Sequence, residues 1–262
     1  MHKKSVLITG CIYATVRTPL KAASLMGISG VEVLELAVTS KESIAACAAE
    51  VARRTGGTLD VLINNAGADF VVPFLDVSLE EAKRLYDVNV FSIIGVTQGF
   101  APMLIKAQGC VANFSSIAGE MPLCWSSVYS GSKAATKQVS GCMRTEFAPL
   151  GVRVVTGIVG AMHMSIHQCA GDLTLSEVSY HENLRDHISE VRKGTAKPRA
   201  VDVASVCKAL ASDIDGGKSG IIWRGGTAAG VRFLSWLLSN GLWEGVVNKG
   251  RGLEQVVKPA EK

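Results

Sequence analysis

Short apolar runs rich in branched residues alternate along this chain with amphipathic stretches. That alternation restricts the fold more than any other feature. The runs are Val6-Leu-Ile-Thr9, Ile12-Tyr-Ala-Thr-Val16, Val31-Glu-Val-Leu-Glu-Leu36, Leu59-Asp-Val-Leu-Ile63, Val111-Ala-Asn-Phe114, Val152-Arg-Val-Val-Thr156 and Gly220-Ile-Ile-Trp223. Each reads as a strand. Ser43 to Arg54, Leu79 towards Lys106, Tyr129 to Phe147 and Val201 to Ala211 read as helices, with a short helical patch from Pro19 to Met26. Gly56-Gly57 closes the first long helix, and Ser78 with Glu81 three residues on forms a capping box for the second. Strands alternating with helices imply an α/β fold, a doubly wound parallel sheet covered on both faces. No linker, repeat or low-complexity segment interrupts residues 1–262, so one domain is expected. In such sheets ligands bind beyond the carboxyl ends of the strands. Asn64-Asn65, Asn89 and Ser116 fall at that edge. The polar stretch 163–200, with a helical piece from Ser179 to Val191, is expected to cover it as a lid.

Composition narrows the class. The chain is 48% apolar, enough for a sizeable core, and its net charge of +4 is spread along the sequence. Nucleic acid is therefore not an expected partner. The cysteines (Cys11, Cys47, Cys110, Cys124, Cys142, Cys169 and Cys207) are odd in number and scattered, without a Cys-x-x-Cys pair. That pattern reads as reduced thiols of a cytoplasmic protein. The apolar run after Met1-His-Lys-Lys is shorter than the roughly 7–15 residues of a secretory signal core. Val231 to Trp243 is apolar and aromatic, broken by Ser, Asn and Gly, with Lys249 and Arg251 beyond it. It falls short of the about 20 residues a spanning helix needs. It suits packing on the core or on a second subunit, or peripheral contact with a membrane surface.

One constellation carries chemistry. Ser116 lies 13 positions before Tyr129, and Lys133 lies four after it. Tyr129 and Lys133 share a helical face if Tyr129 opens a helix. An ammonium beside a phenol favours phenolate and lowers a pKa that starts near 10. The phenol can then move a proton on and off a carbonyl or alcohol oxygen. A serine at a strand end can bind the same oxygen. Ser115 is the neighbouring alternative. His163 and His167 are four apart, yet no Glu stands beside either as in His-Glu-x-x-His, so no metal site is expected. Ser116 is not in a Gly-x-Ser-x-Gly elbow, which argues against a hydrolase.

Thr9-Gly10, Asn64-Asn-Ala-Gly67, Asp87-Val-Asn89-Val, Asn113-Phe-Ser-Ser116, Tyr129-Ser-Gly-Ser-Lys133 and the Val152-Arg-Val strand occur in this order. Together they resemble the short-chain dehydrogenase/reductase family over nearly the whole chain. Tyr13-Ala-Thr-Val-Arg17, Val33-Leu-Glu-Leu36 and Ile222-Trp-Arg-Gly-Gly226 with the apolar tail at 231–252 look most like its fungal members similar to NADPH-dependent 1-acyldihydroxyacetone-phosphate reductase. The resemblance implies a Rossmann-like sheet and an NADP-dependent oxidoreductase acting on a small apolar or lipid-like molecule. It further implies a role in fungal secondary metabolism and a homodimer or homotetramer, with a location in the cytoplasm or at the surface of endoplasmic reticulum or lipid droplets.

The same resemblance implies roles for single residues. Tyr129 would be the general acid/base. Lys133 would lower its pKa and hold the nicotinamide ribose. Ser116 would bind the substrate oxygen, and Asn89 would support a proton relay from Lys133 through water. Gly10, Asn64, Asn65, Ala66 and Gly67 would line the cofactor, Arg17 would meet the 2′-phosphate of NADP, and Met162 and Met164 would lie at the nicotinamide carboxamide. Lys106 would approach the cofactor or else end its helix favourably.

The sequence departs from the family after its first strand. The family's Thr-Gly-x-x-x-Gly-x-Gly loop and following helix are missing between Gly10 and Ile12, a block of roughly 20 residues counted as one crossover. Two adjacent parallel strands need such a crossover. So part of the first βαβ unit is expected to be lost, with either the first strand displaced or Ile12–Val16 no longer the second parallel strand. Ala37 stands where the family has an adenine-contacting Asp. Met162 and Met164 stand where hydroxyl or small residues are usual. A catalytically impaired family member, acting as a scaffold or partner subunit, is the competing expectation.

Overall fold

The computed structural model describes residues 6–8, 11–17, 25, 27–163, 173–194 and 200–256. Its strands are β1 (Val6–Ile8), β2 (Cys11–Val16), β3 (Val31–Glu35), β4 (Val61–Asn64), β5 (Cys110–Ser116), β6 (Arg153–Val159) and β7 (Gly220–Arg224). They form one sheet in the order β3-β2-β1-β4-β5-β6-β7. The helices are α1 (Lys41–Thr55), α2 (Leu79–Tyr86), α3 (Ser92–Ala107), α4 (Ser127–Phe147), α5 (Arg185–Lys193), α6 (Val203–Asp215), α7 (Ala228–Leu237) and α8 (Asn240–Asn248). Of the helical patch expected at Pro19–Met26, only Leu25 falls among the described residues.

The period of two along each strand builds two cores. Leu62, Val111 and Val154 point to one face, where Ile44, Cys47 and Val51 of α1 and Val96, Phe100 and Leu104 of α3 cover them. Their neighbours Val61, Cys110, Ala112 and Val155 point to the other face, onto Val206, Leu210 and Ile214 of α6. Successive strand residues thus serve opposite layers, as a pleated strand requires. This is the Rossmann-like, doubly wound arrangement expected. Ser40 caps α1 by accepting from Ser43 N at 3.1 Å, and Gly56 ends it in the left-handed region (φ 66°). The run Leu79–Ala107 is long and apolar enough by composition to cross a membrane. Here its apolar stripe is the inner face of a core helix.

No strand is lost, but one is reversed. β2 runs parallel to β3, pairing Ile12 with Val31 and Val16 with Glu35. β1 runs antiparallel to both of its neighbours, pairing Ile8 with Cys11 on one side and Val6 with Leu62 on the other. Two residues between β1 and β2 can close a hairpin and cannot span a crossover. The expectation of a wholly parallel sheet is corrected at this one strand. Consequently Ile8 and Cys11 lie at the edge where β4 begins, opposite the edge where it ends in Asn64.

Candidate active site

The parallel strands deliver their last residues to a single edge: Val16 and Arg17 from β2, Asn64 from β4, Ser115 and Ser116 from β5, Val159 from β6. After Ser116 the chain makes a short 3-10 turn, Ile117–Glu120, and its Oγ accepts from Ala118 N at 3.1 Å. Gly119 allows this turn to lie on α4. A Cβ there would stand 2.8 Å from Ala134 N and the Lys133 carbonyl carbon. Tyr129 occupies the first turn of α4 and Lys133 the next.

Ser115 and Ser116 are separated by what they bond. Ser115 Oγ is buried and donates to Lys133 O at 2.7 Å, tying β5 to α4. Ser116 faces the Tyr129 phenol and favours its ionised form. Lys133 Nζ donates to Phe114 O at 3.0 Å and stands 5.9 Å from the centre of the Tyr129 ring.

The electrostatics differ from the simple ammonium–phenol picture. Burial raises the Tyr129 pKa, the Asp69 carboxylate raises it further, and Ser116 pulls the other way. Burial lowers Lys133 from 10.5 to about 8, against an opposing pull from Asp69. Both residues are half-buried as a whole. Burial, and not the ammonium, thus dominates the phenol's pKa in this arrangement, contrary to expectation. Asp69 was not anticipated from the sequence. Its one signal is that it is the only charge between Asp60 and Asp76, in a stretch that otherwise reads as apolar.

Asn64 and Asn89 serve the scaffold. Asn64 Nδ2 donates to Thr97 Oγ1 (3.1 Å) and Asn113 Oδ1 (2.8 Å), so its side chain turns into the core rather than towards a cofactor. Asn89 lies in a π-helical turn, Asp87–Phe91, joining α2 to α3. Such one-residue widenings recur at functional sites. It accepts from Ala68 N (2.8 Å) and donates to Ala68 O (3.0 Å) and Ser132 Oγ (3.0 Å). Those bonds go to the turn after β4 and to α4 rather than to Lys133. Asn65, Ala66 and Gly67 form that turn, with Asn65 exposed.

The structure corrects three expectations, and two of the expected positions fall outside the described residues. Lys106 ends α3 at the far edge of the sheet, where Nζ donates to Gly56 O at 2.9 Å and caps α1. It cannot reach a ligand at the Asn64 edge. Met162 bridges Val201 and packs on the Val155–Val206 core, so its side chain is not presented to a nicotinamide. Asn64, as above, is a core residue. Gly10 and Met164 lie outside the described residues. Arg17 is exposed at the end of β2, on the expected edge.

Comparison with known proteins agrees with this geometry. The family model for short chain dehydrogenases matches residues 7–170. The short-chain dehydrogenase cctT of Talaromyces islandicus is 41% identical over 278 aligned positions, covering 97% of each chain. The NADPH-dependent 1-acyldihydroxyacetone phosphate reductase of Schizosaccharomyces pombe is 32% identical, covering 69% of this chain and 67% of its own. A short-chain dehydrogenase of known structure from Streptomyces avermitilis superposes with a TM-score of 0.74 at 26% identity, over 90% of this chain and 87% of that one. A family match across more than half its length, on a sheet whose carboxyl edge gathers Ser116, Tyr129 and Lys133, makes this chain a member of the short-chain dehydrogenase family.

Proposed function

We propose that the protein is an NADP-dependent oxidoreductase interconverting a carbonyl and an alcohol on a small apolar or lipid-like substrate. The observation that carries this reading is the Ser116–Tyr129 hydroxyl pair at the sheet edge, with Lys133 one helical turn away. NADP, when bound, supplies or accepts the hydride. The chain's own residues handle the oxygen. Ser116 orients it by a hydrogen bond, and Tyr129 Oη gives it a proton in reduction or takes one in oxidation. A phenol held above its ordinary pKa stays protonated at neutral pH, which suits the donor role in reduction. Lys133 stabilises the phenolate left behind.

The nicotinamide end of the site fits such a cofactor. Gly67 has no side chain, and a Cβ there would stand 3.5 Å from Asn89 Oδ1 and 3.6 Å from Lys133 Nζ. That open corner, bordered by a cation, suits a ribose. Arg17 stands at the same edge, where a guanidinium would pair with the 2′-phosphate. The NADPH dependence in the name of the fission-yeast relative supports the same choice. The diphosphate end does not fit. Ile8 and Cys11 pair at the opposite edge, and no described helix N-terminus follows β1 to cradle phosphates. That misfit favours the second reading, an impaired member that serves as a partner subunit.

The apolar cluster beside the site, including Val71, Trp125 and Leu175, supports an apolar substrate. Exposed Phe233, Trp236, Leu237 and Leu242 support peripheral membrane contact through the tail. Trp243 has no part in that contact, being buried with Nε1 donating to Glu120 O at 3.3 Å.

Titrating NADPH into the purified protein, with nicotinamide fluorescence as readout, tests the main reading. Saturable binding together with NADPH-driven reduction of a ketone panel is expected. Tyr129→Phe should lose about 10²–10⁴-fold in rate while keeping its thermal midpoint. Absence of saturation at millimolar NADPH would select the partner-subunit reading.

A further inference from the structure

We propose that Asp76 is a positioning residue: it anchors segment 173–194 over the Tyr129 centre and, through Trp125, holds the substrate side of the site closed. The proposal rests on reading that segment as the lid of the oxidoreductase site.

Asp76 ends a short 3-10 turn, Phe74–Asp76, that follows Pro73. Its side chain is 1% exposed. A buried carboxylate is unfavourable unless donors saturate it. Here the donors come from one short segment about a hundred positions further along. Ser176 N (3.0 Å) and Ser176 Oγ (2.7 Å) donate to Oδ1, and Ser179 Oγ (2.8 Å) donates to Oδ2. His181 Nδ1 stands 3.4 Å from Oδ2, at ion-pair distance but outside hydrogen-bond geometry. No Lys or Arg takes part among the described ion pairs of this carboxylate. Asp76 thus fastens two distant loops by oriented donors alone. A second tie runs parallel to it: Arg192 donates to Val71 O at 3.2 Å.

The anchor reaches the reaction centre through one residue. The His181 ring stands edge-on to Trp125, with centroids 5.0 Å apart. Trp125 has φ 65°, a left-handed conformation that a bulky residue adopts only when its surroundings enforce it. Val72 N donates to Trp125 O at 2.7 Å, and Trp125 Nε1 donates to Arg251 O at 3.1 Å. Its apolar neighbours Val71, Val72, Leu173, Leu184 and Ile188 belong to the two loops that Asp76 joins. The next residue, Ser126, opens α4, and its carbonyl accepts from Ser130 N at 2.8 Å. Tyr129 lies in that same turn. The strained Trp125 is therefore set between the anchor and the helix start that aims the phenol.

A cap with only a local structural role would leave the split between KM and kcat unmoved, so the test uses that split and proteolysis together. In the full-length protein, Asp76→Ala should let trypsin cut after Arg185, Arg192 and Lys193 about tenfold faster, because cleavage follows the opened population. KM for a turned-over ketone should rise about fivefold or more, with kcat and NADPH affinity within about twofold. Asp76→Glu should restore part of both effects. Unchanged cleavage in this segment overturns the proposal, as does a KM that stays put while cleavage rises. If Asp76→Ala also speeds cleavage elsewhere in the chain, the double substitution Ser176→Ala with Ser179→Ala decides by the same ratio of local to distant cutting. Cleavage needs no turnover. An inactive wild-type protein would therefore sink the oxidoreductase reading and leave the anchor to be judged by the protease.

Discussion

Asn64 and Asn113 stand side by side on adjacent parallel strands and are joined through their side chains, Asn64 Nδ2 donating to Asn113 Oδ1 at 2.8 Å. The chain of bonds continues from Asn113 Nδ2 to Ser140 Oγ at 2.9 Å and from Ser140 Oγ to Thr136 O at 2.7 Å. All four residues are buried. The network links β4 and β5 to α4, the elements that carry Ser116 and Tyr129. Asn113→Leu would keep most of the volume, take the acceptor away from Asn64 Nδ2 and take the donor away from Ser140 Oγ. We expect a loss of about 1–3 kcal/mol, read as a lower urea midpoint at unchanged slope. An unchanged midpoint would show that water replaces the lost partners and that the network is dispensable.

Gly99 reports how closely α3 approaches α1. A Cβ at this position would stand 2.5 Å from Ile44 Cγ2, deep in the shared core. Gly99→Ala should therefore destabilise by about 1–3 kcal/mol despite the better helix propensity of alanine. Ile44→Ala removes the colliding methyl. The pair should be less than additive in a double-mutant cycle, by about 0.5 kcal/mol or more. Additive losses would mean that the helices shift apart instead of clashing.

What was legible in the sequence follows from how local each signal is. Strand positions were legible because apolar runs and branched residues act within a few positions, and the two-residue link after Ile8 already excluded a parallel pair. Which strand would turn round was not, because either choice satisfies the same local pattern. Ser116 was separable from Ser115 only through the family's spacing between its serine and its tyrosine. For Lys106 topology decides between the two alternatives: a helix that begins at the carboxyl edge ends at the other one. Asp69, Asp76 and Trp125 were missed because loop side chains follow no period. Asp76 takes its donors from about a hundred residues downstream.

Asp69 adds its charge to the effect of burial on the pair it faces. Its carboxylate raises both the Tyr129 and the Lys133 pKa, so Asp69→Asn should let both fall. Alcohol oxidation needs the phenolate, and its rate rises with pH through the phenol's titration. The rising limb of that profile should move to lower pH in Asp69→Asn, with the fold unchanged. A limb that stays in place would show that another group, or a bound ligand, governs the proton step.

Lys133 makes the opposing demands of fold and chemistry measurable. Its native pKa is held near 8, against 10.5 for the free group, chiefly by burial. The native state thus binds fewer protons than the unfolded chain between those values. Stability from this group is complete above pH 10.5, falls as pH drops towards 8, and below that the full penalty applies. Tyr129, whose pKa is raised, contributes in the opposite sense and only at the alkaline end, as the free phenol begins to titrate near 10. Lys133→Met removes the buried ammonium and leaves Phe114 O without its donor, a partial offset. With that offset and partial solvent screening, the variant should be more stable than the parent by about 1–3 kcal/mol at pH 7. The gap should close as the pH approaches 10, while turnover is lost. Urea unfolding of both proteins at pH 7, 8.5 and 10 reads the difference. A gap that stays constant across the series would mean that packing, and not the charge, decides the stability at this position.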